Sequence, residues 1–328
     1  MASINCCIVG YGGIAEFHAE ALAQIENVRI HSIVGRRDEP TEAFATKHSA
    51  PHWFTDLDQA LADDDLDAVV IASPSELHVQ QTLAAISADK HVLVEIPIAI
   101  SHKGARNLAG AARSSDLKVQ VAHTRRFDEV GRFVKDFVGS GKTGQIYQNQ
   151  SYSLWFRHEN VGWTGYQRSW VDDILFHHGC HLVDFSLWTI DSDVRRVRGE
   201  LAPLHPINGT SMDVSMLIRF ANETIATINL SYNARQPASG NRYLCENGVL
   251  EVNGKTARFN GEQVFQTSEN PESGIVVQNR DFIDAIRNNR QPTCSADEAL
   301  KSMIVLQQVY DQMVTIEGVE KYKRRWEE

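Results

Sequence analysis

The sequence predicts an α/β chain of two domains: a doubly wound parallel sheet, then an α+β domain built on an open, largely antiparallel sheet. Three observations carry this. Over residues 4–122, short β-rich runs alternate with segments whose apolar residues recur at helical spacing, the pattern of successive strand–helix–strand units. After residue 127 the alternation gives way to longer β-type runs. At 328 residues the chain is long for one core and comfortable for two.

The first expected strand, 5–9, is an apolar run, and Ala15, His18, Ala19 and Leu22 then follow at helical spacing. Further strands are expected over 28–34, 68–72, 91–94 and 118–122, and helices over 41–48, 56–62, 75–88 and 101–115. Ser75 and Ser101 are placed as N-caps, where a hydroxyl accepts a bond from an otherwise orphaned backbone N–H. The domain boundary is expected at 122/123, giving domains 1–122 and 123–328, with the C-terminal helix able to pack back on the first. In the second domain a helix over 130–139 precedes β-type runs over 147–155, 211–220, 224–232, 241–245 and 248–252. The stretch 170–188 is helical in period and rich in histidine, 254–274 is polar and loop-like, and 279–288 and 295–315 are helical.

Composition narrows the function. A formal net charge of -10 argues against a nucleic-acid partner, although local basic clusters remain able to capture a small anion. The five cysteines lack Cys-x-x-Cys spacing and read as buried thiols of a reducing compartment. No apolar stretch approaches a membrane span and no leader pattern precedes Ile4, so a cytoplasmic protein without a membrane partner is expected.

The chemistry-bearing motif comes first in the chain. Gly10-Tyr11-Gly12-Gly13-Ile14-Ala15 joins the first strand to its helix as Gly-x-Gly-x-x-Ala. Gly10 permits the tight turn, Gly12 lets the backbone approach a pyrophosphate, and Ala15 lets helix and sheet pack closely, with Gly13 and Ile14 opening the helix toward the phosphates. The second strand ends at Val34-Gly35-Arg36-Arg37, where an acid would receive the ribose hydroxyls of NAD. Two guanidiniums there suit a 2′-phosphate, so NADP is expected. The competing reading is a pair of solvated charges, since Asp38 and Glu39 follow. Ser73-Pro74, at the end of the 68–72 strand, is a second expected cofactor contact.

Three later segments complete the pattern: Glu95-Ile96-Pro97, His123-Thr124-Arg125-Arg126-Phe127, and Arg168-Ser169-Trp170 with His177-His178-Gly179-Cys180-His181. Their order and spacing resemble the glucose-fructose oxidoreductase, inositol dehydrogenase and rhizopine catabolism family over nearly the whole chain. The resemblance implies an N-terminal Rossmann domain, a C-terminal domain with an open sheet, and a nicotinamide cofactor contacted also by His78, Glu95, Ile96 and His123. In that family a Glu-Lys-Pro motif supplies a catalytic lysine and an Asp-x-x-x-His pair supplies the rest of a proton relay. Here those positions are Ile96 and His177-x-x-x-His181, so only the final histidine is retained.

These departures resemble one branch of the family, whose substrate is a dicarboxylated cyclic hemiacetal of aromatic catabolism. That resemblance implies an NADP-dependent dehydrogenase with His181, His177 and His178 as catalytic candidates. Arg125, Arg168, Arg242 and Trp170 are the substrate-binding candidates, because a dicarboxylate calls for cations. A homodimer or homotetramer through the C-terminal sheet is expected. Other readings stay open. His177 and His181 face one side of a helix and suit metal ligation or a structural pair, although no metal is expected. The chain also suits an NAD(P)-dependent sugar or inositol dehydrogenase, or a non-catalytic NADP-binding regulator.

Overall fold

A computed structural model describes residues 3–161, 165, 170 and 173–317. The chain divides into two compact units, one of Met1–Phe127, Gly162–Tyr166 and Glu272–Leu300, the other of Asp128–Val161, Gln167–Pro271 and Lys301–Glu328.

The first unit begins with β1 (Ile4–Val9), α1 (Gly13–Leu22), β2 (Val28–Val34), α2 (Asp38–Lys47), β3 (His52–Phe54) and α3 (Leu57–Leu61). It continues with β4 (Ala68–Ile71), α4 (His78–Ser87), β5 (His91–Val94), α5 (His102–Arg113) and β6 (Val119–Val121). The strands form one parallel sheet of order β3-β2-β1-β4-β5-β6. The chain starts at the centre, runs out to β3, then recrosses to β4, so the strand order reverses between β1 and β4. In open α/β sheets that reversal opens a crevice at the strands' carboxyl ends.

Both central strands are apolar and buried apart from half-buried Asn5, as a sheet covered on two faces requires. Burial pushes the Cys7 thiol up to about 12 and the Cys6 thiol higher still, so neither is reactive. Among the expected caps, Ser101 accepts the Gly104 N–H at 3.1 Å. Ser75 does not cap: the chain after Pro74 winds first as a 3-10 turn, Ser75–Leu77, and α4 starts at His78. The strand β3 lies outside the sequence expectation, since three residues with exposed His52 and Trp53 carry no apolar pattern.

The second unit holds α6 (Glu129–Gly139), β7 (Ile146–Phe156), α7 (Gly179–Ile190), β8 (Val194–Leu201), β9 (Asp213–Phe220) and β10 (Ile225–Ser231). It continues with β11 (Asn233–Cys245), β12 (Gly248–Asn253), β13 (Thr256–Phe259) and β14 (Glu262–Gln266). Its sheet has the order β14-β13-β12-β11-β7-β10-β9-β8 and is antiparallel except where β10 runs beside β7. The strands β13 and β14 correct the expected loop over 254–274. They are short strands at one end of the sheet, and only Ala257, Phe259 and Phe265 face the helix α6, where Phe265 stacks on Phe133 with ring centroids 4.6 Å apart. The strand β8 was equally hidden, because its arginines mask buried Val197 and Leu201.

The chain then closes with α8 (Gly274–Arg287) and α9 (Ala296–Glu317). In the first unit α8 puts Phe282 and Ile283 into the core formed by β1, β4 and α1. The residues after it lie along β6, where Val121 N–H donates to the Cys294 carbonyl at 2.8 Å. That covers a strand edge otherwise open to pairing. In the second unit α9 packs on β8 at Gly199, where a Cβ would stand 2.5 Å from Val309. No helix among the described residues is long and apolar enough to cross a membrane.

Since Phe282 is fully buried, Phe282→Ala is expected to destabilise the first unit by about 3–5 kcal/mol, read as a lowered urea midpoint. A loss below about 1 kcal/mol would show that α8 does not share this core.

Candidate cofactor and catalytic sites

The carboxyl edge of the first sheet collects most of the expected cofactor residues. Gly10 has φ +123°, and a Cβ on it would lie 2.6 Å from the Ala72 carbonyl oxygen, so β1 can turn past the end of β4 only as glycine. Gly12 stands at the N-cap of α1 with extended backbone and no capping side chain, and a Cβ there would meet nothing within 4 Å. Gly13 and Ile14 open the helix. An uncapped first turn facing open space, with backbone N–H donors and the positive end of the helix dipole, fits a dinucleotide pyrophosphate.

Beyond β2, Arg36 and Arg37 are exposed, and neither is ion-paired among the described residues. Arg37 donates from Nε to the Tyr11 hydroxyl at 3.3 Å, and its carbonyl accepts the Thr41 hydroxyl at 2.5 Å. After β4, Ser73 donates its hydroxyl to Gln81 at 2.5 Å, with Pro74 next. His78 is buried and reaches the Pro97 carbonyl from Nδ1 at 2.8 Å and the Ser73 carbonyl from Nε2 at 3.0 Å. Through these two contacts the ring staples the loops after β4 and β5. Glu95 follows β5; its carboxylate meets His18 Nε2 at 2.9 Å and accepts the Ile96 N–H at 3.2 Å. Ile96 is buried, and His123 is buried just beyond β6.

Further along, the 3-10 turn Thr124–Arg126 separates two arginines by burial. Arg126 is buried, donating to the Thr293 carbonyl at 3.1 Å with Glu298 at 3.5 Å, so its charge serves the first unit's own packing. Arg125 is half-buried.

In the second unit an aromatic and imidazole cluster forms around the start of α7. Asp173 accepts the Phe176 N–H at 2.7 Å and so opens a π-helical turn, Ile174–His178, that leads directly into α7. Such widened turns recur at functional sites because they re-aim side chains. His177, His178 and His181 are all half-buried. His177 lies 5.2 Å from His178 and 6.4 Å from His181, centroid to centroid. His178 meets the edge of Tyr232 at 5.2 Å, and Trp170 stands 6.2 Å from the same ring. The Nδ1 atoms of His177 and His181 are buried.

The structure adds Arg157, missed in the sequence, whose guanidinium lies 5.6 Å over the Tyr232 ring and bonds Asn160. Residues 157 and 232 meet only through the pairing of distant strands, a signal absent from local pattern. Arg168 lies outside the described residues. Arg242 does not join the cluster. It stands on the sheet face opposite buried Tyr243, ion-paired with Glu251, its cross-strand neighbour on β12.

A family profile described as an oxidoreductase family with an NAD-binding Rossmann fold matches residues 4–123, and one for the C-terminal domain of bacterial oxidoreductases matches 131–263. Among relatives, the 4-carboxy-2-hydroxymuconate-6-semialdehyde dehydrogenase of Sphingobium sp. strain SYK-6 is 34% identical over 92% of this chain and 96% of its own. The chain belongs to the glucose-fructose oxidoreductase, inositol dehydrogenase and rhizopine catabolism family. An inositol 2-dehydrogenase of Acidothermus cellulolyticus is 27% identical over 84% of this chain and 79% of its own. The crystal structure of an oxidoreductase domain protein from Kribbella flavida shares the fold, with a TM-score of 0.86, 20% identity and coverage of 96% of this chain and 98% of that one.

In this oxidoreductase Gly10 is the most constrained residue of the cofactor edge. Gly10→Ala would place a side chain in strained backbone, at roughly 1–3 kcal/mol, and against the Ala72 carbonyl. The expected result is a lowered Tm and weakened binding of the nicotinamide dinucleotide, measured by its fluorescence. Wild-type affinity in the variant would show that the turn tolerates a Cβ.

Proposed function

We propose that this oxidoreductase uses NADP to oxidise the cyclic hemiacetal of 4-carboxy-2-hydroxymuconate-6-semialdehyde to 2-pyrone-4,6-dicarboxylate, a step in aromatic compound catabolism. The observation that carries the reading is the 34% identity to a dehydrogenase of that semialdehyde along almost the full length of both chains. The site residues support it. Ile96 stands where a Glu-Lys-Pro lysine would be, and three half-buried histidines gather at the start of α7.

The cofactor's place is the carboxyl edge of the first unit. Gly10, Gly12, Gly13 and Ile14 receive the pyrophosphate, Arg36 and Arg37 the 2′-phosphate, and Ser73, Pro74, His78, Glu95, Ile96 and His123 line the remainder. Bound there, the nicotinamide ring supplies the hydride acceptor. The protein's own task is the proton. A hemiacetal hydroxyl is more acidic than a simple alcohol, so a neutral imidazole suffices as base and no lysine is required. His181 takes that proton at Nε2, its Nδ1 being buried. His177, in the aspartate's place, orients His181, and His178 with Trp170 and Tyr232 forms an aromatic wall. Arg125 of the first unit, and Arg168, Arg242 and Arg157 of the second, are the cations we assign to the carboxylates, through planar, charge-assisted pairs.

Exposed Tyr147, Tyr152, Trp155 and Phe156 on β7 support self-association through the second sheet into a dimer or tetramer. Five buried cysteines, none of them in a disulfide, suit a reducing cytoplasm. A second reading, oxidation of a sugar or inositol, is favoured by the inositol 2-dehydrogenase relative.

Reduction of NADP and NAD is to be measured with the enzymatically generated semialdehyde, beside glucose and myo-inositol. The semialdehyde with NADP should dominate, and replacing Arg36 and Arg37 with alanine should raise the KM for NADP by about one to two decades while leaving that for NAD nearly unchanged. Equal kcat/KM for the two cofactors overturns the 2′-phosphate reading, and faster turnover of the polyols overturns the substrate.

His181→Ala should lower kcat by about 10²–10⁴-fold. Arg125→Ala and Arg168→Ala should act mainly on KM for the semialdehyde, by about tenfold or more. Wild-type kinetics in His181→Ala and His177→Ala together would eliminate the histidine relay.

A further inference from the structure

The turn after β5 is held by a chain of side chains, Asn279–His18–Glu95, in which the proposed function gives a place to Glu95 alone. His18, on the second turn of α1, is fully buried and has both ring nitrogens engaged. Its Nε2 lies 2.9 Å from Glu95 Oε1, and because an ionised carboxylate only accepts, that bond takes the Nε2–H. Its Nδ1 faces the Asn279 amide, 3.0 Å from Nδ2 and 3.2 Å from Oδ1. Asn279, buried on α8, is itself fixed by donating from Nδ2 to the Ile275 carbonyl at 2.8 Å. The second Glu95 oxygen accepts the Ile96 N–H at 3.2 Å. The chain Asn279–His18–Glu95 therefore ties α8 and α1 to the Glu95-Ile96-Pro97 turn.

The place of this turn matters. In a sheet of order β3-β2-β1-β4-β5-β6, each half receives one mononucleotide, and the β4–β6 half takes the nicotinamide end. Ile96 carries no cation with which to hold a ligand, so what the turn offers is its shape.

We propose that His18 and Asn279 are positioning residues for the nicotinamide half of the cofactor, acting by fixing the Glu95 carboxylate and, through it, the Glu95–Pro97 backbone. This rests on the reading of the first unit's carboxyl edge as the dinucleotide site. The adenosine half, taken up at the ends of β1 and β2, lies outside the reach of this chain.

The test compares two ligands in the full-length protein. One is NADPH or NADH, whichever the wild type binds more tightly; the other is its adenosine half alone, 2′,5′-ADP or 5′-AMP. Kd values come from nicotinamide fluorescence and calorimetry. His18→Ala should weaken the whole dinucleotide about tenfold or more, and Asn279→Ala by less, with the adenosine half held within about twofold. His18→Gln, which keeps an N–H toward Glu95, should recover part of the loss. If His18→Ala does not fold, Asn279→Ala and His18→Gln carry the comparison. Equal loss for both ligands marks the chain as general packing and overturns the proposal, as does wild-type binding of both in a folded variant. A wild-type protein that binds neither ligand overturns the cofactor reading itself.

Discussion

Everything at the cofactor edge depends on how closely the ends of β1 and β4 approach. The distance from the Gly10 Cβ position to the Ala72 carbonyl, 2.6 Å, leaves no room for a side chain, and this closeness turns the chain out of β1 directly into α1. Because β1 is central and β4 is the first strand on the far side of the reversal, the same contact defines the crevice. An uncapped helix start, an exposed strand end with two arginines and the loops after β4 and β5 are then brought to one edge without further device.

Charge is distributed with similar economy. Arg126 and Arg242 each have a carboxylate partner within their own unit. Arg36 and Arg37 keep solvent-facing guanidiniums, while Arg157 lies over an aromatic ring that also touches His178. An excess of acidic residues overall thus coexists with local cationic positions, which is what capture of small anions by a protein of net charge -10 demands.

The first sheet was legible in the sequence because β4, and β1 after Asn5, are buried apolar runs, and β2 ends in buried Ile33 and Val34. The second was legible only where burial alternates cleanly, as in β9 and β10. The edge strands β3, β8 and β14, and β13 beside the last, escaped because few of their residues are buried, and local pattern registers burial rather than hydrogen bonding. Among the candidate residues, the glycine turn and the histidines of the widened turn announce themselves by spacing. The partnerships of the arginines do not: Glu298 for Arg126 and Tyr232 for Arg157 come from distant chain segments, and Glu251 meets Arg242 through the register of the β11–β12 hairpin. His18 stood in the sequence only as one apolar-face position of a helix, because Glu95 and Asn279 lie 77 and 261 residues away.

The return of residues 272–300 to the first unit has a consequence for synthesis. Strands β1 to β6 emerge from the ribosome early, in the order in which domains ordinarily fold. Yet Phe282 and Ile283 belong to their core, and the segment at Cys294 covers their last strand. The nascent sheet therefore waits, with an apolar face and an open edge, while the whole of the second sheet is translated. The unit that begins first is completed only after the whole second sheet, and during that interval its edge is the part of the molecule most in need of shielding.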